Sequence, residues 1–155
     1  MGRRIVIVSG KGGVGKTTIC AGVGYALASI GASVVLIDAD AGMSNLDTLM
    51  NIQGKIVFDL SDLINKKCRI KQALIPDPNF DNLYTIASNK SDIGTELMDT
   101  TAFNKITSKL SSVFDFVLID APAGASNGRL PDRSSAPSVS CGFRRTMPPP
   151  RRATP

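Results

Sequence analysis

Eight residues near the start of the chain, Gly10-Lys11-Gly12-Gly13-Val14-Gly15-Lys16-Thr17, combine spaced glycines with a terminal Lys-Thr pair, and Thr18 follows directly. Glycines accept positive φ and allow close backbone approach, so successive N–H groups can turn inward as an anion nest. A helix starting at this point adds its dipole, about 0.3 to 2 kcal/mol, so several such contacts must converge on one phosphate. The pattern G-x-x-x-x-G-K-[ST] then sends Lys16 toward the β and γ phosphates of a nucleotide and the Thr17 hydroxyl toward Mg²⁺. The competing reading is a Gly-rich turn that binds nothing. At a Gly frequency of roughly 7%, however, this spacing together with Lys-Thr rarely arises by chance. Asp38, Asp40 and Asp120 follow apolar runs. Each alone reads as a turn former. Together they mark the strand ends beside which open parallel sheets hold their ligands.

The elements that must position these groups are legible around them. Ile5 to Val8 is a continuous apolar run of the kind found in strands covered on both faces. After the loop, Ile19, Cys20, Val23, Ala26, Leu27 and Ile30 recur at helical spacing, and Gly31 supplies the stop. Val34 to Asp38 predicts a second buried strand leading into a polar loop. Short helical pieces are expected at Leu46 to Met50 and Asp59 to Asn65, and a strand at Leu83 to Ala87. Phe103, Ile106, Leu110 and Val113 predict an amphipathic helix, and Phe116 to Ile119 a last strand ending at Asp120. Strands alternating with helices imply an α/β fold with a mostly parallel sheet.

Composition excludes several chemistries. The 155 residues contain no His, which removes Ser-His and Cys-His nucleophile pairs and His-ligated zinc. Three cysteines, at 20, 68 and 141, form no CxxC pair; this disfavours a metal-cluster carrier and suits a reduced, cytoplasmic setting. Thr17 to Ile37 is a run of 21 uncharged residues, but Gly31-Ala32-Ser33 splits it into a helix-like part and a strand-length part, so it does not read as a membrane span. Arg3 and Arg4 are followed by only four apolar residues before Ser9, too few for a signal peptide.

The net charge of +5 is local. Residues 125 to 155 hold six Arg against one Asp, with six of the nine prolines, and the preceding 124 residues balance to zero. The chain therefore divides into 1–124, the α/β part, and 125–155, a basic Pro/Arg/Ser-rich tail expected to be disordered. An out-of-frame origin of that tail and a genuine interaction segment both remain open readings. Its arginines give only weak, salt-sensitive affinity for nucleic acid, and no specific nucleic-acid partner is expected.

SGKGGVGKTT, with the additional Lys11, resembles the deviant phosphate loop of the MinD/ParA family of P-loop ATPases. LIDADAGMSNLD (36–47) resembles the family's switch I, and FDFVLIDAPAG (114–124), which includes Pro122 and Gly124, its Walker B strand and switch II. The resemblance covers about residues 3–124 and stops there, so the fold is expected to be incomplete on its C-terminal side. It implies ATP and Mg²⁺ as ligands and an ADP monomer alternating with an ATP homodimer. Lys11 is implied to reach the partner's phosphates, Asp40 to position the attacking water, Asp38 to assist near the metal, and Asp120 to hold a metal-bound water.

VFDLSDLIN, QALIPD and NLYTIAS resemble the family branch that selects the division septum site. That branch acts from the cytoplasm at the inner membrane surface, with division-regulator proteins and anionic membrane as partners. The alternatives are a ParA-like partitioning or flagellar-placement ATPase, and a non-catalytic fragment presenting a basic tail. Loss of later strands is expected to expose a sheet edge beside the phosphate-loop strand and to favour aggregation.

Overall fold

The computed structural model describes residues 2–9, 11–40, 45–88 and 99–122 and the backbone of 138–140. In chain order these form β1 (Arg3–Val8), α1 (Lys16–Ser29), β2 (Val34–Asp38), α2 (Leu46–Leu49), a 3₁₀ turn (Gln53–Lys55), α3 (Leu60–Ile64) and α4 (Ile70–Ala73). They continue with β3 (Ile75–Pro76), β4 (Leu83–Ile86), α5 (Thr100–Ser111), β5 (Phe116–Asp120) and β6 (Ser138–Ser140). The strands make one sheet in the order β3-β4-β2-β5-β1-β6. All pairings are parallel except β3 with β4.

The α/β expectation holds, and side-chain alternation explains the layers. Val6, Val8, Val35, Ile37, Val117 and Ile119 point to one face, where they meet Leu60 and Leu63 of α3, Ala73 of α4 and Phe103 and Leu110 of α5. Ile7, Val34, Leu36 and Leu118 point to the other, against Cys20, Ala21 and Ala28 of α1. Every residue of β2 is buried, as a central strand covered on both sides requires.

Local signals fix the helix ends. Asp99 caps α5 by accepting from the amides of Thr101 and Ala102, and Asp59 caps α3 by accepting from Asp62 N. Such a cap contributes about 0.5 to 2 kcal/mol. Helix α1 closes with Gly31 N donating to Ala28 O and Ala32 N to Leu27 O, the paired bonds of a Schellman ending.

The structure departs from the sequence expectations in four places. Ile19, Val23, Ala26 and Ile30 of α1 do not form its buried face; Cys20, Ala21, Gly24 and Ala28 do. The reason is proximity: a Cβ placed on Gly24 would lie 2.8 Å from Leu36 Cδ2, so only small residues fit between α1 and the sheet. Val113 lies past the end of α5 and is exposed rather than part of its buried stripe. Helix α4 and strand β3, too short for a periodic signal, join the elements expected. Finally, Ser138–Ser140, inside the segment expected to be disordered, form β6 and pair with Val6–Val8, so part of the edge expected to be bare is covered. The rest of 125–155 lies outside the described residues.

A polar clasp sets the sheet's register at the opposite end from the phosphate loop. Asp115 accepts from Ser33 N (2.8 Å) and Ser33 Oγ (2.7 Å), and its own amide donates to Ser33 O (2.9 Å). Directly beyond it Val34 pairs with Phe116, the first step of the β2–β5 ladder. The backbone and hydroxyl bonds from Ser33 hold the Asp115 carboxyl below its usual range. Because the folded pKa is depressed, the stabilisation is present above the ordinary value of 3.8 and is lost as pH falls through the folded value.

Ser33→Ala is expected to return the Asp115 pKa toward 3.8 in a carboxyl-carbon NMR titration and to lower the melting temperature at pH 7. That difference should shrink as pH falls below 3.8; a gap independent of pH would refute the linkage. Gly24→Val should cost about 1 to 3 kcal/mol in denaturant unfolding, because it forces α1 off Leu36.

Candidate functional site

Three parallel strands, β1, β5 and β2, end side by side, and their registers bring the candidate carboxylates together. Asp38 pairs with Asp120, and Ile7 with Asp120, so the C-terminal ends of the strands form one ledge. Backbone bonds from Ala39 N to Asp120 O (2.9 Å) and from Ala121 N to Ile7 O (3.2 Å) lock its outer row. Asp38 is buried and accepts from Asp40 N at 3.0 Å, which turns the chain toward the site just past β2.

The phosphate loop arches from β1 to α1 over this ledge. Gly13 and Gly15 have φ of 72° and 89°, and nothing lies within 4 Å of a Cβ built on either, so the loop is both left-handed and open above. Gly15 occupies the N-cap of α1, where no side chain caps the helix and no acidic residue occupies the first turn. The first N–H groups of α1 therefore keep their capacity to bind an anion. Ser9, which the sequence analysis did not single out, is buried between β1 and the loop, and its hydroxyl donates to Lys11 O at 2.6 Å. Only its position between an apolar strand and a glycine run hinted at that turn-holding role.

Lys16 is 7% exposed, deeply placed for an ammonium, and its charge acts on both Asp40 and Asp120. Burial raises the Asp40 carboxyl above its usual value, and Lys16 partly offsets this. Asp120 is raised chiefly by burial, and Asp40 adds to that; the Thr17 hydrogen bond and Lys16 pull it back. Cys20, beneath the loop, has its thiol pushed well above the ordinary range, first by burial and then by Asp120 and Asp38.

The site residues named from sequence thus gather at one place. Lys16, Thr17, Asp38, Asp40 and Asp120 are in or beside the ledge, and Gly12, Gly13, Val14 and Gly15 form the arch. Thr18 is exposed on the first turn of α1, and Lys11 is exposed at the start of the loop. Pro122 follows Ala121 just past β5. Gly10 and Gly124 lie outside the described residues.

The ledge suits a magnesium ion carried by a nucleotide. Asp120 Oδ1 is buried with no hydrogen-bond partner among the described residues, and the Thr17 side chain bonds to the same carboxylate. Among the described residues no group of three or more His, Cys, Asp or Glu could cage a metal alone.

Known proteins share this arrangement. A family model described as an AAA domain matches residues 2–127. Septum site-determining protein MinD of Bacillus subtilis (strain 168) is 41% identical over 133 residues, covering 83% of this chain and 48% of the relative. The chain spans about half the length of the curated relatives it matches. Among solved structures, the MinC:MinD cell division protein complex of Aquifex aeolicus superposes with a TM-score of 0.77 at 35% identity, over 89% of this chain and 55% of that one. The septum site-determining protein MinD of Pyrococcus horikoshii OT3, complexed with Mg-ADP, gives a TM-score of 0.68 at 31% identity over 80% and 50%. Matched over residues 2–127, the chain belongs to the AAA domain family, and within it the chain is similar to MinD proteins.

Proposed function

We propose that this chain carries the nucleotide site of a MinD-type ATPase that acts in the choice of the division septum site. The observation that carries the reading is the uncapped N-terminus of α1, whose first residue is the buried Lys16, together with the partnerless Asp120 Oδ1. Main-chain amides from Gly12 to Thr18 receive the phosphate oxygens of ATP, and Lys16 neutralises the outer phosphates. Thr17 and Asp120 would hold Mg²⁺, and the ion would supply positive charge beside the phosphate oxygens. Asp40 orients the attacking water, and Asp38 fixes Asp40 through the bond to its amide. Lys11, exposed at the loop's outer side, reaches the nucleotide of a second copy in the ATP-bound homodimer.

In this reading the protein works at the cytoplasmic face of the inner membrane with a division regulator and anionic lipid. The relatives' names and the MinC:MinD complex of Aquifex aeolicus support this reading. No helix among the described residues is long and apolar enough to cross a membrane.

Titration of the full chain with a fluorescent ATP analogue tests the site. Lys16→Ala should weaken binding roughly 10- to 100-fold, the equivalent of one buried charge-assisted contact. Asp40→Ala should bind within about threefold of the parent and lose turnover by roughly 10² to 10⁴. Chelating Mg²⁺ should weaken binding by the parent, and Asp120→Asn should reduce that dependence. Equal affinity of parent and Lys16→Ala, or affinity indifferent to Mg²⁺, would remove the basis of the proposal.

A further inference from the structure

Ser9 is the first residue past β1, and it is 5% exposed although it carries a hydroxyl. A buried hydroxyl is costly unless it finds a partner, and this one donates to Lys11 O at 2.6 Å, two residues on. Its own position is set by the sheet. Ile7, two residues earlier, pairs with Asp120 and accepts from Ala121 N at 3.2 Å, so the bond runs from a strand end fixed in the ledge to the first part of the loop.

The residue at the other end of that bond stands in a stretch of backbone with much freedom. Lys11 is exposed, as are Gly12 and Gly13 after it. Gly13 and Gly15 have the left-handed φ of 72° and 89°, with open space above them. Glycines let such a backbone sample many directions, and an exposed lysine adds its own rotamer freedom. An ammonium that must meet a phosphate of another molecule loses that freedom on arrival, so a restraint already in place favours the encounter. Holding the Lys11 carbonyl fixes the peptide plane beside the Cα from which the side chain leaves. Lys16 is different: it is buried in the first turn of α1, and the helix itself directs it.

We propose that Ser9 is a positioning residue for Lys11, a hydroxyl strut that aims the exposed ammonium outward toward the phosphates of a second copy's nucleotide. The inference rests on the part given to Lys11 in the proposed function, and it assigns the aim of that lysine to a side chain outside the glycine pattern. Nucleotide affinity, carried by the amides of the arch and by Lys16, is independent of the strut; turnover by the ATP-bound pair depends on it.

Two measurements on the full chain test it, the first without nucleotide. Trypsin cleaves the peptide bond after an exposed lysine, and at Lys11 that bond includes the carbonyl that Ser9 holds. Ser9→Ala should release a new N-terminus at Gly12, followed by mass spectrometry, roughly 3- to 10-fold faster than the parent, the equivalent of one neutral hydrogen bond. Cutting after Lys55 and Lys66, both exposed, should keep the parent's rate. With Mg-ATP, Ser9→Ala should bind a fluorescent ATP analogue within about twofold of the parent yet lower kcat roughly 3- to 10-fold, and adding Ser9→Ala to Lys11→Ala should lower kcat no further. Ser9→Thr, which keeps the hydroxyl, should behave as the parent in both measurements. Equal cutting of the parent and Ser9→Ala at Lys11, or faster cutting at all three lysines, overturns the strut whatever the nucleotide does. A loss of kcat that adds to that of Lys11→Ala, or a Ser9→Thr variant that behaves like Ser9→Ala, overturns its part in aiming Lys11. If the trypsin result holds and Lys11→Ala turns over ATP at the parent's rate, the part given to Lys11 in the proposed function fails, and the aiming role of Ser9 falls with it.

Discussion

A buried ammonium has to be surrounded by negative charge, and much of this fold is arranged around that requirement at Lys16. Burying a lone cation costs several kcal/mol, and removing its partners costs more than the pair is worth. Here the compensating groups come from two strand ends, Asp120 at the end of β5 and Asp40 just past β2. The parallel ladder between those strands, with Asp38 opposite Asp120, holds them in place. The same carboxylates are raised by desolvation, so the pocket is charged but poorly solvated. In the proposed function a polyphosphate with its magnesium ion would supply what each party lacks, an anion for Lys16 and a cation for Asp120.

That arrangement constrains the strands at their far ends too. If β2 slipped one residue against β5, Asp38 would leave the Asp120 row and the inward and outward faces of the strand would exchange. Two devices resist the slip. The alternating Val, Ile and Leu of β2 are buried on both sides, and the Ser33–Asp115 clasp fixes the first residues of the two strands. An exposed polar contact at one end of the sheet thus bears on the placement of the Asp38 and Asp120 carboxylates at the other, because the parallel ladder carries one register along five residues.

Much of this was legible in the sequence. The phosphate loop, the span of α1 and the run of β2 are local patterns, and the structure has them where spacing put them. What was not legible is non-local. No periodicity says that β5 inserts between β1 and β2, the pairing that makes Asp120 a neighbour of both the loop strand and Asp38. Strand β6 was missed because a strand at that edge is held through its backbone, so Ser-Val-Ser among prolines and arginines gives little sign of it. The buried face of α1 was misread because large apolar residues dominate a helical pattern, whereas the tight seat over Leu36 selects for small ones. Ser9 was passed over because one hydroxyl beside a glycine run carries little information until its acceptor, Lys11 O, is seen.

The reversal in α1 follows from the same demand that buries Lys16. To deliver its N-terminal amides to the strand ends, the helix must lie close against the sheet, and close approach requires Ala21, Gly24 and Ala28 underneath. Small residues bury little area, at roughly 25 cal/mol per Å², so the inner face alone holds this helix less firmly than a face of Leu and Ile would. Tyr25 and Leu27 pack partly against the core at its flanks, while Ile19, Val23 and Ile30 stay on the exposed side. The uncapped amides in front and the exposed Ile19, Val23 and Ile30 behind follow from one packing distance.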